Sequence, residues 1–115
     1  MKVRNWKDVP EAAVGEQAPG VTKRVLVGPA EGAGNFVMRL FTVAPGAATP
    51  FHQHDWEHEV FVLAGAGEVM SSDGKSPLKP DDVVFVAPNE QHQFVNTGSD
   101  VFRFICCIPH VKQTP

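Results

Sequence analysis

Four of the five histidines in this 115-residue chain lie in two short segments. His52 and His54 are separated by one residue, and residues two apart on an extended strand project to the same face. His58 follows closely enough for a turn to return it to that face, and His92 lies on a distant segment. Four imidazoles on an interior face would bury unpartnered nitrogens, each at about 1 to 3 kcal/mol, unless a metal binds them. The spacing predicts a metal site with the ligands His52, His54, His58 and His92, although a lone histidine on a strand is more often an ordinary core or surface residue.

Imidazole ligands leave the identity of the divalent transition metal open among Mn, Fe, Co, Ni, Cu and Zn. Four neutral ligands would leave the ion its full charge, and an octahedral ion would keep two positions for a substrate and an oxidant. A tetrahedral zinc ion held by four histidines would instead be saturated and inert. The ligand set therefore indicates a centre that can do chemistry if its metal accepts six ligands.

The segments that must position these histidines have the composition of β-strands. Ten glycines and ten prolines punctuate the whole chain, and helical periodicity is hard to find. Between them lie short runs rich in Val, Ile and Phe, which is typical of strands. These runs are residues 23–27, 36–43, 59–63, 68–70, 83–86, 91–95 and 101–108. Seven or more short strands without helices indicate a β-sandwich or a closed barrel.

The length of the chain predicts one domain with an N-terminal extension. The pair Asp73-Gly74 supplies the positive φ of a tight hairpin, so residues 68–71 should fold back on residues 75–79. Residues 1–20 fit the strand pattern less well and are predicted to form an extended arm. Residues 21–115 remain for the barrel domain.

Composition narrows the expected partners and location. With 13 acidic and 10 basic residues and a net charge of -3, the chain gives no electrostatic reason to expect nucleic acid or a membrane surface. Its start lacks the apolar segment of a signal peptide, and no run approaches a membrane span. Adjacent Cys106 and Cys107 would point to opposite faces of a strand, which predicts reduced thiols. We expect a cytoplasmic protein that binds a small-molecule substrate.

Residues 46–65 resemble the first cupin motif. Gly46 is followed by five residues, the His52-x-His54 pair, three residues, His58, six residues and Gly65. In most cupins the third ligand is glutamate, and here His58 occupies that position. The resemblance therefore implies a ligand set built from histidine alone.

Residues 81–96 resemble the second cupin motif, with His92 as its ligand. Asp81 and Asn89 stand where glycines are usual, and Ala87 stands where proline is usual. Asp and Asn tolerate left-handed backbone better than other non-glycine residues, so the turns can survive.

With the flanks 35–43 and 104–109, the chain resembles small stand-alone four-histidine cupins. The resemblance implies an all-β fold, a small double-stranded β-helix or jelly-roll barrel in a single domain. Members of this group are similar to one another in holding manganese through four histidines. They also share oxidative cleavage of carbon-carbon double bonds with peroxide-type oxidants. The resemblance thus implies a metal-dependent oxygenase or oxidase of a small organic substrate, with Mn as the favoured metal.

Strand parity selects the side chains that would line a pocket beside the ion. In the run 101–108, Arg103 favours solvent, so the alternate set with Phe104 and Cys106 faces inward. Phe94 shares its parity with the histidine two residues earlier. The predicted substrate pocket consists of Arg39, Phe94, Phe104 and Cys106.

Charged residues near the histidines leave two questions open. Arg39 lies between apolar residues, so it either anchors an anionic substrate inside the barrel or pairs with a carboxylate outside. Asp55, Glu57 or Glu59 could orient an imidazole through its other ring nitrogen, although exposure is expected for at least two of them.

Two other functions compete with the oxygenase. A metal-dependent isomerase or lyase needs a base, and the chain has no tyrosine and no obvious inward carboxylate or lysine. A non-catalytic sensor or binding protein could use the metal only to anchor its ligand. Residues 36–43 are apolar on both faces, which predicts a homodimer that covers the second face.

Overall fold

The computed structural model describes residues 1–110, which form nine β-strands and the short 3-10 helices Trp6–Asp8 and Pro29–Glu31. The strands are β1 (Ala12–Ala13), β2 (Val21–Val27), β3 (Phe36–Val43), β4 (His58–Ala64), β5 (Gly67–Ser71), β6 (Gly74–Leu78), β7 (Val83–Val86), β8 (Gln93–Asn96) and β9 (Phe102–Pro109). One sheet has the order β1-β2-β3-β9-β4-β7, and the other has the order β6-β5-β8. All paired strands are antiparallel. The expected all-β jelly roll in a single small domain is confirmed.

Local composition accounts for most of these strands. β3 and β7 begin and end at the predicted residues, because β-branched and aromatic runs fit a pleated surface and are bounded by turns. The predicted hairpin is also present, with Ser71 opposite Gly74 in the β5–β6 pair. The two-residue strand β1 was not predicted, because an Ala-Ala pair carries no strand signal of its own.

The second-motif turns use left-handed backbone at the two positions where glycine is usual. The φ angles of Asp81 and Asn89 are 77° and 66°, and among residues 1–110 no other non-glycine residue has a positive φ. Asp and Asn adopt this conformation at less cost than other side chains. The turns at both ends of β7 are therefore retained without glycine.

The core lies between the two sheets and is formed by alternate residues of the long strands. In β9 the side chains of Phe102, Phe104, Cys106 and Ile108 are buried, whereas the residues between them are partly exposed. This alternation confirms the predicted inward face of β9. Cys106 and its neighbour Cys107 are free thiols, as expected.

The N-terminal residues pack on the outer face and edge of the larger sheet. β1 pairs with β2, and the Trp6 ring lies 5.0 Å from the guanidinium carbon of Arg24 and 5.2 Å from that of Arg103. Leu40 points away from the core side of β3 and yet has 0% exposure within this one chain. Part of the second apolar face of β3 is therefore covered by the chain itself rather than by a second copy.

Some sequence-based expectations stay predictions. The boundary between arm and barrel at residue 20 is one of them, and residues 111–115 of the predicted barrel lie outside the described residues. The homodimer is another.

Within residues 1–110, no helix combines the length and apolar character needed to cross a membrane.

Gly65→Ala should destabilise the fold, because Gly65 directly follows β4 with a φ of 86° and lies against the start of β9. An added Cβ would overlap the carbonyl oxygen of Val101 and lie 2.8 Å from the Cα atom of Phe102. Strain and overlap should together lower the free energy of unfolding by about 2 kcal/mol or more, measured by urea denaturation. Gly34→Ala is the control, since its Cβ would meet nothing within 4 Å. Equal stability of the two variants would contradict this account.

Candidate metal centre

The segment between β3 and β4 carries the first histidines on irregular backbone. His52 donates its backbone N–H to the carbonyl oxygen of His92 at 3.1 Å, and His92 returns a bond to His52 at 2.9 Å. This pair is an isolated bridge, so His52-Gln53-His54 is not part of a regular strand, although the ring centroids of His52 and His54 lie 4.4 Å apart as their spacing predicted. Pro50 has no N–H to donate, which interrupts any ladder with the β8 segment. Two candidate ligands are nevertheless tied to each other through their own backbones.

The four predicted histidines converge at one place. Potential ligand atoms of His52, His54 and His92 all lie within 4.8 Å of one another. His58 begins β4 with its side chain facing the core, and its ring centroid lies 4.7 Å from that of His92 and 5.3 Å from that of His54. Three of the four thus form the tighter group, and the fourth adjoins it. Coordination by all four stays a prediction.

The surroundings keep these imidazoles neutral. Burial, reinforced by the neighbouring imidazoles and by Arg39, lowers the pKa of His52 to about 4 and the pKa of His58 to about 3. Burial also lowers the pKa of His54 and of His92. Neutral imidazole is the form that binds metal ions, so the cluster is ready for a cation at neutral pH.

Unpartnered nitrogens show that the cluster fits a metal ion. Nε2 of His54 and both ring nitrogens of His58 are buried without a hydrogen-bond partner. Buried polar atoms are nearly always paired, so three such nitrogens in one cluster require an explanation. An ion bound by these rings would satisfy one nitrogen of each. The chemistry of the donor set thus fits a divalent transition metal.

A backbone carbonyl, rather than a carboxylate, orients one of the rings. Nδ1 of His92 lies 2.9 Å from the carbonyl oxygen of Glu90, which can only accept, so Nδ1 carries the proton and Nε2 is left as the ligand atom. Asp55 and Glu59 are exposed, and in the described part of the chain no side-chain carboxylate bonds to a histidine ring. The orienting roles suggested for Asp55, Glu57 and Glu59 are therefore wrong. The types of side chain in the sequence could not predict this contact, because the direction of the Glu90 carbonyl depends on the turn before β8.

All four predicted pocket residues line one cavity of about 30 Å³ beside the histidines. The lining residues include Arg39, Phe94, Phe104 and Cys106 together with His52, His58 and His92. Arg39 is 1% exposed, and its Nη2 atom donates to Sγ of Cys106 at 3.2 Å. The alternative in which Arg39 pairs with a carboxylate outside the barrel is therefore wrong.

The match to a known family covers the site. Residues 39–108 match the family described as the cupin domain, which is well over half of the chain. This chain belongs to the cupin family. The match contains both histidine segments together with Arg39 and Cys106.

Two curated relatives and one solved structure are similar to this cupin. It is 31% identical to protein SchB of Streptomyces halstedii over 87 residues, 75% of this chain and 63% of SchB. It is 27% identical to an uncharacterized protein of Methanocaldococcus jannaschii over 66 residues, 56% of this chain and 53% of that protein. The matches thus span less than two thirds of either relative. The structure of the polyketide cyclase RemF from Streptomyces resistomycificus superposes with a TM-score of 0.89 at 32% identity, covering 95% of this chain and 79% of RemF.

His58→Leu in this cupin should separate metal binding from stability. The substitution removes two buried nitrogens that lack partners, so the metal-free protein should gain about 1 to 3 kcal/mol in free energy of unfolding. Its affinity for Mn²⁺ should fall by about tenfold or more, because one candidate ligand is lost. Urea denaturation and metal titration measure the two effects.

The control for His58→Leu is His110→Leu, which changes the exposed fifth histidine and should alter neither quantity. Alanine variants of the other three candidates should each lower metal content. Unchanged metal content in any one variant would remove that residue from the site.

Proposed function

We propose that this cupin is a metal-dependent oxygenase or oxidase of a small organic substrate. The observation that carries the proposal is the cluster of neutral imidazoles, two of them buried and two half-buried, at the wall of an otherwise largely apolar cavity. His52, His54, His58 and His92 would hold the metal, and the substrate would enter the cavity beside them.

A divalent transition ion in this cluster would supply Lewis acidity and, where the metal is redox-active, a route for electrons between substrate and oxidant. Manganese is favoured by the resemblance to four-histidine cupins. Iron, nickel, copper, cobalt and zinc remain alternatives, since imidazole binds all of them.

Aromatic side chains give the cavity a rigid and dry wall. The ring of Phe104 stacks on Phe94 at 4.6 Å and on Phe41 at 5.2 Å between centroids. Stacked rings in a close-packed core leave little freedom to rearrange. They would hold an apolar part of the substrate near the histidines and exclude bulk water from it.

The lining of the cavity favours oxidation over proton transfer. Among the described residues that line it, there is no aspartate, glutamate, lysine or tyrosine. Burial raises the pKa of the Cys106 thiol, which leaves it protonated at neutral pH. An isomerase or lyase would have to find its base among the histidines themselves, whereas oxidation of a bound substrate by an added oxidant does not depend on such a base.

Cyclisation of a carbonyl substrate is the second candidate function. The observation in its favour is the likeness to RemF, a polyketide cyclase, at 32% identity over most of both chains. In this case a histidine outside the ligand set in use would move the proton. His58, which adjoins the tighter group of three, is the candidate for that role.

Removal of metal should abolish turnover. Protein reloaded with Mn²⁺ or another divalent transition metal should consume oxygen or peroxide with at least one member of a panel of alkenes, phenols and diketones. Metal-free protein and His52→Ala should consume no oxidant, because both lack an intact metal centre. His110→Ala keeps all four candidate ligands and should match the wild type. Oxidant consumption and product analysis are the measurements.

The possible outcomes separate the three functions. Product formation without oxidant consumption would favour the cyclase over the oxygenase. Ligand binding without turnover would indicate a binding protein or sensor. Full turnover by rigorously metal-free protein would reject all metal-dependent catalysis at this site.

A further inference from the structure

Arg39 is a buried cation whose hydrogen-bonding capacity is mostly unused. Its side chain is 1% exposed in the middle of β3, opposite Cys106 of β9. Nη2 donates to Sγ of Cys106, but Nε and Nη1 have no hydrogen-bond partner. The guanidinium carbon also lies 5.0 Å from the centroid of the Phe41 ring. Two of its three nitrogens are therefore free to bind something else.

Nothing in the cavity neutralises this charge. The other described lining residues are neutral imidazoles, a thiol, a hydroxyl and apolar side chains. None of the ion pairs formed within residues 1–110 involves Arg39. A buried charge without a counter-charge is strongly unfavourable, and proteins that keep one usually pair it. No described residue that lines the cavity supplies the counter-charge, so an anionic ligand would find the charge of Arg39 unopposed.

The proposed metal ion would increase the positive charge beside Arg39. A divalent cation held by neutral histidines would add two positive charges to a cavity that already contains one. An anion lying between the ion and Arg39 would be attracted by both. The histidines and the guanidinium line the same cavity, so one small anionic group can approach both.

We infer that this cavity binds a carboxylate head group through the guanidinium of Arg39. Arginine presents several N–H donors in a planar fork that matches the two oxygens of a carboxylate. The free space of about 30 Å³ has room for roughly one or two water-sized groups, so it accepts the head group while the rest of the ligand extends toward the opening. The substrate class of the proposed enzyme is then a small organic acid.

This inference rests on the proposed function only in treating the bound acid as substrate. Binding of the carboxylate needs no turnover and can be measured separately. The competing explanation is a purely structural arginine, held by its thiol contact and its position over Phe41. A structural arginine would not distinguish an acid from its neutral isostere.

Calorimetric titration with acetate and acetamide distinguishes these explanations, because the two molecules share shape and differ in charge. Metal-loaded wild-type protein in low-chloride buffer should bind acetate about tenfold more tightly than acetamide. In Arg39→Met, acetate affinity should fall by about tenfold or more, whereas acetamide affinity should stay within about twofold. The same order should persist in metal-stripped protein, which identifies Arg39 rather than the ion as the source of the preference.

Arg103→Met is the matched control. Arg103 lies on β9 with its side chain on the outer face beside Trp6, so the variant loses the same charge without reaching the cavity. Its acetate affinity should equal that of the wild type. If Arg39→Met does not fold, Arg39→Lys should retain weaker acetate binding, and the comparison of acetate with acetamide on metal-stripped wild-type protein still decides the question.

Equal affinity of the wild type for acetate and acetamide would overturn the inference, as would unchanged acetate binding in Arg39→Met. Failure of the proposed function has a different signature. Arg39-dependent acetate binding without oxidant consumption on any acid or neutral substrate would overturn the oxygenase and leave the carboxylate site in place. Oxidant consumption with neutral substrates and no Arg39-dependent acetate binding would support the oxygenase and overturn the carboxylate site.

Discussion

The burial of polar groups that the chain does not itself satisfy is the constraint on which the rest of this structure depends. The core between the sheets contains unpartnered nitrogens of His54 and His58 and a guanidinium without a counter-ion. Water would satisfy these groups in the unfolded chain, so their burial lowers the free energy of unfolding. The surrounding aromatic and β-branched core, with Phe102 and Val62 fully buried, must offset that loss. Such a concentration of unmet polar capacity is the mark of a site built for ligands that arrive after folding.

Much of the fold could be predicted because its strands carry their own signal. The β-branched and aromatic runs of β3 and β7 predicted strands with the observed limits, and the Asp73-Gly74 pair predicted the hairpin between β5 and β6. Pairing that depends on a distant partner was not predictable in the same way. The backbone at His52 has strand-like neighbours but forms only a bridge, since Pro50 interrupts the ladder. β1 exists only because β2 presents an edge to it.

Some parts of the candidate site could also be predicted from the sequence, and others could not. The convergence of the four histidines was predicted from their spacing, and strand parity placed Phe104 and Cys106 in the cavity. The position of Arg39 could not be decided from the sequence, because residues on both faces of β3 are apolar and give no inward direction. Leu40 lies on the outer face of β3 and is buried there by other parts of the chain. An apolar residue on the outer face removes the alternation that would have shown which face of β3 points inward. The contact between the Glu90 carbonyl oxygen and His92 could not be predicted either. Every residue has a carbonyl group, and only the conformation of the turn directs this one toward the imidazole.

The pairing of Arg39 with Cys106 across β3 and β9 has an evolutionary consequence. The candidate ligands lie on the irregular segment after β3, at the start of β4 and just before β8, whereas these two side chains come from neighbouring strands that contribute no candidate ligand. Exchange of either residue would thus change the proposed carboxylate site while the candidate metal ligands stayed in place. Diversity of reactions among related chains is then expected even where the histidines are shared.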